Sequence, residues 1–302
     1  MKNTLQRSTI SVPANREKML AKAKTLNADF IMFDLEDSVP PNEKDKARNM
    51  LIEFLLSEDL SEKNISYRIN SLEYPYVYKD VIDVVEKVGD KIKSIVIPKV
   101  ETPDNVIWVH TLLTQIERAF GIKEKIEIEA SIETAKGLLN IEKIISSCSR
   151  IRSLVFGVAD YTVSLGMFFK GISGHGEGEE FYPGHRFHYP LSRIAVAAKA
   201  NGLLAIDAPY GNFKDLEGLK KSCLLSKYLG FDGKWAIHPA QIDVINELYS
   251  PSEDDLNRCK KIVEIYEKAK EQGMGSGSLE GSMIDGATYR LAKQILDNFY
   301  GK

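Results

Sequence analysis

Glu133 and Asp160 each close a short apolar run, in SIET and FGVAD, and two carboxylates brought together with open water positions are what Mg2+ takes. No histidine or cysteine stands beside either, which disfavours zinc. The competing reading is structural: an acid just ahead of a helix start, as Glu133 is before TAKGLLN, is favoured there by the helix dipole alone. Glu127, Glu129 and Ser131 share the parity of Glu133, so on a strand an inward Glu133 makes them inward too. A buried Glu129 must then find a donor or take up a proton, and it reads better as a satisfied interior acid than as a third ligand.

Arg68, in YRIN, is a permanently charged forked donor that suits a substrate carboxylate or an enolate oxygen, with a salt bridge to a nearby acid as the plainer alternative. Asp34, Glu36 and Asp37, in FDLEDSVP, supply such acids. Asp34 and Glu36 share a parity and could hold water around a metal or position Arg68; a solvated loop start is the other reading of the patch. Arg16, at the head of the basic stretch NREKMLAKAKTL, suits a phosphate, with Lys22 as the poorer candidate, unless both lie on a solvated helix face. The histidines His110, His175, His185, His188 and His238 form no zinc-protease pair and no assignable Ser/His/Asp order. PGHRFHYP reads as loop packing or a subunit contact, and His238 as pocket wall.

One scaffold has to gather these residues. Apolar runs of strand length recur at 9–13, 30–35, 65–70, 94–98, 126–132, 153–158, 203–206 and 234–238, separated by stretches with helical spacing, several of which stop at Gly. Strands alternating with helices in this number predict an α/β fold, a (β/α)8 TIM barrel, with an open doubly wound sheet as competitor. The ionisable residues favour the barrel. Asp34, Glu36, Asp37, Arg68, Lys99, Glu101, Glu133, Asp160, Asp207 and His238 all fall at strand ends, which in a barrel meet at the face where its active sites are built. SVPANR, after the first strand, carries neither a dinucleotide fingerprint nor a P-loop. The expected organisation is a barrel domain over 1–270, a flexible Gly/Ser linker over 271–282 (EQGMGSGSLEGS) and a C-terminal helical lid over 283–302, with Gly171–Gly184 as an extended loop.

Composition bounds the function. The 302 residues are 43% hydrophobic and 27% charged, which excludes wholesale disorder. Forty Lys+Arg against forty-three Asp+Glu leave a net charge of −3, so no global field draws the chain to nucleic acid or to an anionic membrane. Three distant cysteines read as reduced thiols, and the sequence has neither a long apolar run nor the apolar core of a signal peptide, so cytoplasmic residence is expected.

In order along the chain stand SVPANR, FDLEDSVPPNEKDKAR, YRIN, IPKVET, SIETAKGLLN, FGVADYTVSLG, PGHRFHYPLSR, AIDAPYG, LGFDGKWAIHPAQIDVIN and SMIDGATYRLAKQIL. Taken together they resemble the citrate-lyase-β-like branch of the HpcH/HpaI aldolase superfamily, most closely its malyl-CoA and β-methylmalyl-CoA lyases. The resemblance implies a lyase that reversibly cleaves a 3-hydroxyacyl-CoA to glyoxylate and acetyl-CoA or propionyl-CoA. It implies Mg2+, with Mn2+ as a substitute, on Glu133 and Asp160; Arg68 on the reacting carboxylate or thioester oxygen; Arg16, with Lys22, toward the CoA phosphates; and backbone N–H groups around Ala159 and Asp160 for the 2-oxo acid carboxylate. Asp285, in MIDG, would be the catalytic acid/base supplied by a neighbouring subunit, which implies a homo-oligomer, trimer or hexamer. Sister outcomes are a citramalyl-CoA lyase, a malyl-CoA thioesterase and a citrate lyase β subunit with an acyl-carrier partner; a non-catalytic CoA-binding protein is the reading from another class.

Overall fold

Eight short runs rich in Ile, Val and Phe form the strands β1 (Ser8–Pro13), β2 (Phe30–Asp34), β3 (Asn64–Arg68), β4 (Ser94–Ile97), β5 (Glu127–Ile132), β6 (Ile151–Phe156), β7 (Leu204–Asp207) and β8 (Gly233–Ala236). They pair in chain order, and β8 returns in parallel to β1 to close the barrel. The computed structural model describes residues 5–168 and 185–300. The loop expected at Gly171–Gly184, with His175, lies outside the described residues.

Most strand residues are buried whichever way they point, as parallel strands covered by helices require. Met32, Val96, Val155, Leu204, Ile206 and Trp235 form one apolar cluster. Glu129, fully buried, accepts from Gln6 Nε2 at 2.8 Å, Ser94 Oγ at 2.6 Å and Ser153 Oγ at 3.1 Å. It is the satisfied interior acid expected from its parity. A register shift between Ile128 and Glu129 sets Ser153 opposite it.

The covering helices are α1 (Glu17–Ala23), α2 (Lys44–Ser57), α3 (Val77–Val88), α4 (Pro103–Phe120), α5 (Ala135–Leu139), α6 (Ile141–Ile145), α7 (Val158–Ser164), α8 (His188–Ala200), α9 (Leu216–Tyr228) and α10 (Ile242–Tyr249). Their sequences explain their limits. In α3, Val77, Val81, Val84, Val85 and Val88 recur at helical spacing and are buried. α4 opens on a reciprocal cap between Thr102 and Asn105 and stops at Gly121, which takes φ +68°. No described helix is long and apolar enough to cross a membrane.

The chain divides into two compact units, Met1–Asn246 and Glu247–Lys302, so the boundary falls earlier than the expected 270. The second unit holds α11 (Glu253–Glu271), β9 (Gly277–Leu279), β10 (Ser282–Ile284) and α12 (Gly286–Tyr300). Its own small core explains the shift: Cys259 and Ile262 of α11 pack with Ile284 and Ala292, and Leu279 lies against them. The stretch 271–282, expected as a flexible linker, contributes to an antiparallel hairpin, β9 pairing with β10. Glu280 and Gly281 turn it with φ of +50° and +79°, the left-handed pair a two-residue hairpin favours. Gly277 is needed for packing, since a Cβ there would lie 2.6 Å from Ile265 Cγ2.

Candidate active site

Register brings the first pair together: Asp34 is the partner of Arg68 across β2 and β3, and both close their strands. Arg68 Nε and Nη2 each donate to an Asp34 oxygen at 2.7 Å, a two-pronged pairing of fork and carboxylate. Asp34 also ties the turn that follows it, accepting from the backbone of Glu36 at 2.9 Å and of Ser38 at 3.1 Å. Burial alone would raise the Asp34 carboxyl, but the charge and hydrogen bonds of Arg68 hold it well below the usual carboxylate range. Arg68 Nη1 lies 2.9 Å from Glu36 Oε2 and 3.5 Å from Asp37 Oδ2. The guanidinium stands over the Trp235 ring, 5.6 Å from its centroid. Asp34 and Glu36 thus both lie against Arg68, the contact that the second of their two expected roles requires.

Lys99 joins this pair to the expected metal ligands. Its ammonium is 2.5 Å from Glu36 Oε1, 3.5 Å from Asp160 Oδ2 and 3.8 Å from Asp37 Oδ1. Its backbone N–H donates to Glu133 Oε1 at 2.5 Å. Burial works against the Lys99 charge, yet the hydrogen bond and charge of Glu36 raise its pKa well above the ordinary lysine value. Glu133 is 5% exposed. Burial, then the charge of Glu36 and more weakly that of Asp160, push its carboxyl up to about 7, against the pull of Lys99 and Arg68. Glu133 does not cap α5; Thr134 does, accepting from Gly137 N. Gly157, just before α7, makes room for it, since a Cβ there would lie 2.1 Å from Glu133 Oε2.

Asp160 lies in the first turn of α7. The first backbone bond of this helix runs from Tyr161 N to Gly157 O at 3.1 Å, so the N–H groups of Ala159 and Asp160 are not consumed by the helix. Arg16 is the exposed residue before α1 and follows the β1 end, whereas Lys22, also exposed, is in the last turn of α1, roughly 9 Å further along the axis. Asp285 belongs to the C-terminal unit, where its Oδ1 accepts from Ala287 N at 3.0 Å and from Thr288 N at 2.9 Å. Hydrogen bonds, first from the Thr288 backbone, lower its carboxyl pKa.

Three further strand-end residues have partners outside the Arg68 and Lys99 cluster. Asp207 turns outward, next to the inward Ile206, and forms a fully buried ion pair with Lys234 at 2.5 Å. Glu101 pairs with Lys136 at 2.9 Å. His238 caps the turn Pro239–Gln241, accepting from Ala240 N at 3.2 Å, and stacks on Phe213. Sequence reasoning assigned no part to Lys99, Gly157 or Lys44, whose ammonium donates to Leu35 O at 2.9 Å and Glu36 O at 2.5 Å. The signal for Lys99 was its place after a strand end; nothing in the sequence marks its φ of +51°.

Five carboxylates (Asp34, Glu36, Asp37, Glu133, Asp160) thus gather around two cations, Arg68 and Lys99. An all-oxygen set with surplus negative charge, and a Glu133 carboxyl raised where a cation would lower it, fit a hard divalent ion. Among the described residues no three His, Cys, Asp or Glu side chains converge as a ready-made metal cage. Two carboxylate ligands with open positions remain compatible with Mg2+, which keeps several waters.

Residues 7–239 match the family described as HpcH/HpaI aldolase/citrate lyase. The chain is 36% identical over 300 residues to the L-malyl-CoA/beta-methylmalyl-CoA lyase of Rhodobacter capsulatus, covering 97% of this chain and 94% of that protein. It is 33% identical over 293 residues to the citrate lyase subunit beta of Leuconostoc mesenteroides subsp. cremoris, covering 97% and 92%. Among solved structures, the CitE protein of Mycobacterium tuberculosis in complex with magnesium, acetoacetate and coenzyme A is similar at a TM-score of 0.77 and 25% identity, over 99% of this chain and 100% of that one.

Proposed function

Since the chain belongs to the HpcH/HpaI aldolase/citrate lyase family, we propose that it is a Mg2+-dependent carbon-carbon lyase acting on L-malyl-CoA or β-methylmalyl-CoA. It would release glyoxylate and acetyl-CoA or propionyl-CoA, reversibly. The observation that carries this reading is the mouth itself: a guanidinium clamped by Asp34 and, joined to it through Lys99, the carboxylates of Glu133, just past β5, and of Asp160, in the first turn of α7. The relative in Rhodobacter capsulatus, at 36% identity, supports the substrate.

Glu133 and Asp160 would hold Mg2+, which supplies Lewis acidity toward the hydroxyl and carboxylate oxygens of the substrate. Arg68 stabilises the negative charge that develops on the thioester enolate as the carbon-carbon bond breaks. Its orientation is set in advance by Asp34, so no reorganisation is needed when that charge forms. The N–H groups of Ala159 and Asp160 orient the 2-oxo acid carboxylate, and Arg16, with Lys22 further off, binds the CoA phosphates. In cleavage the substrate hydroxyl gives up its proton to solvent and Asp285, from a neighbouring subunit of a homo-oligomer, delivers one to the enolate α-carbon; in condensation Asp285 removes that proton and the new alkoxide takes one up. Its lowered pKa keeps it in the ionised form that removes a proton, while making it a weaker base than an unperturbed aspartate.

Asp285→Asn tests the assignment. Turnover should vanish while calorimetry still records Mg2+ and glyoxylate binding; loss of that binding as well would make Asp285 a structural residue. The likeness to a citrate lyase subunit beta supports a second reading, a thioester presented on an acyl-carrier partner. Turnover of a free CoA thioester by the purified protein alone would remove the need for it.

A further inference from the structure

Lys99 is a charged residue of the mouth to which the proposed chemistry gives no task. Its backbone takes φ +51°, a left-handed conformation that side-chain-bearing residues rarely adopt. That turn does two things at once. It aims the Lys99 N–H at Glu133 Oε1, 2.5 Å away, and it brings the ammonium to 2.5 Å from Glu36 Oε1 and 3.5 Å from Asp160 Oδ2. Arg68 cannot do the same for Asp160, because its fork is committed to Asp34, with Glu36 and Asp37 on its remaining nitrogen. Lys99 is therefore the cation that bridges the Arg68 cluster and the two carboxylates read as metal ligands.

We infer that Lys99 is the internal counter-cation of the metal site. Its ammonium pairs with Asp160 in the metal-free protein, yields that carboxylate to the divalent ion and remains with Glu36, while its backbone N–H holds Glu133 in both states. The inference rests on the reading in which Glu133 and Asp160 hold Mg2+. Lys99 is a positioning residue: it competes with the ion it makes room for, and keeps the acids together without it.

The test is a calorimetric Mg2+ titration of the full-length wild type, Lys99→Met, Lys99→Gly and Lys99→Arg, with melting measured in EDTA and in saturating Mg2+. Lys99→Gly guards against misfolding of the methionine variant, since glycine accepts the positive φ. With the competing charge gone, Lys99→Met and Lys99→Gly should bind Mg2+ about tenfold more tightly than wild type. They should also melt lower in EDTA, with the difference closing in saturating Mg2+. Lys99→Arg, which keeps the cation, should stay within about twofold of wild type. Unchanged or weaker Mg2+ binding in folded Lys99→Met and Lys99→Gly would overturn the inference alone. A wild type that binds no Mg2+, or a Glu133→Gln variant that binds it as well as wild type, would instead remove the metal assignment beneath it.

Discussion

Replacing Arg68 by lysine keeps the positive charge but removes the fork that meets Asp34 through Nε and Nη2 at 2.7 Å. A lysine ammonium cannot hold both carboxylate oxygens and still face the substrate, so kcat should fall roughly 100-fold or more while the protein still folds. Arg68→Met goes further, leaving Asp34 buried without its partner, which costs about 3–5 kcal/mol of stability on top of the lost activity. Steady-state kinetics and melting curves of the two variants separate these effects. Glu133 adds a pH dependence. Its folded pKa of about 7 lies above the ordinary value of 4.5, so the metal-free folded state holds this proton more tightly than the unfolded chain does. This contribution to stability is present below pH 4.5 and is lost as pH rises through about 7, by roughly 3 kcal/mol. Mg2+ must displace the same proton, so its affinity should rise between pH 6 and about pH 7.5, with proton release, and then level off. Calorimetry in buffers of different ionisation heat would show it; a flat profile would mean that the ion is not bound through Glu133.

The junctions between strands and helices decide which residues reach the mouth. Gly157 joins β6 to α7 at a point where a methyl group would lie 2.1 Å from Glu133 Oε2. Gly157→Ala should therefore push Glu133 aside and weaken Mg2+ binding at least tenfold, with about 1–3 kcal/mol of overpacking strain. Titration and melting of that variant check both. The eight strands were legible because apolar runs of strand length alternate with helical spacing, and the acids Asp34 and Glu133 were legible because they close those runs, whereas Asp160, expected at a strand end, lies in the first turn of α7. The outward turn of Asp207 was not. In LAID every residue is buried, so no alternation marks the inward face, and the parity of Ile206 had to come from the folded barrel. The hairpin was hidden for a different reason: the glycines that read as a linker serve as a left-handed turn at Gly281 and a close contact at Gly277. Lys99 was visible only as a strand-end charge, since a left-handed lysine leaves no trace in composition or period.

At the scale of the whole molecule, the net charge of −3 is unremarkable, while the barrel mouth concentrates five acids around two cations. The proposed affinity for a divalent ion is thus a local property that overall composition does not reveal. The proposed homo-oligomer has its own test. If Asp285 of one subunit serves the mouth of another, inactive Asp285→Asn and inactive Glu133→Gln proteins should regain activity when co-assembled, because some mixed interfaces unite two intact halves. No recovery would mean that each chain uses its own Asp285. The reaction itself is tested most directly by incubating the purified protein with Mg2+ and, separately, malyl-CoA, β-methylmalyl-CoA and citramalyl-CoA, trapping any 2-oxo acid with phenylhydrazine. Glyoxylate should appear from the first two and be lost on addition of EDTA. Free CoA from malyl-CoA without any 2-oxo acid, or no product from any of the three, would contradict the proposed lyase reaction.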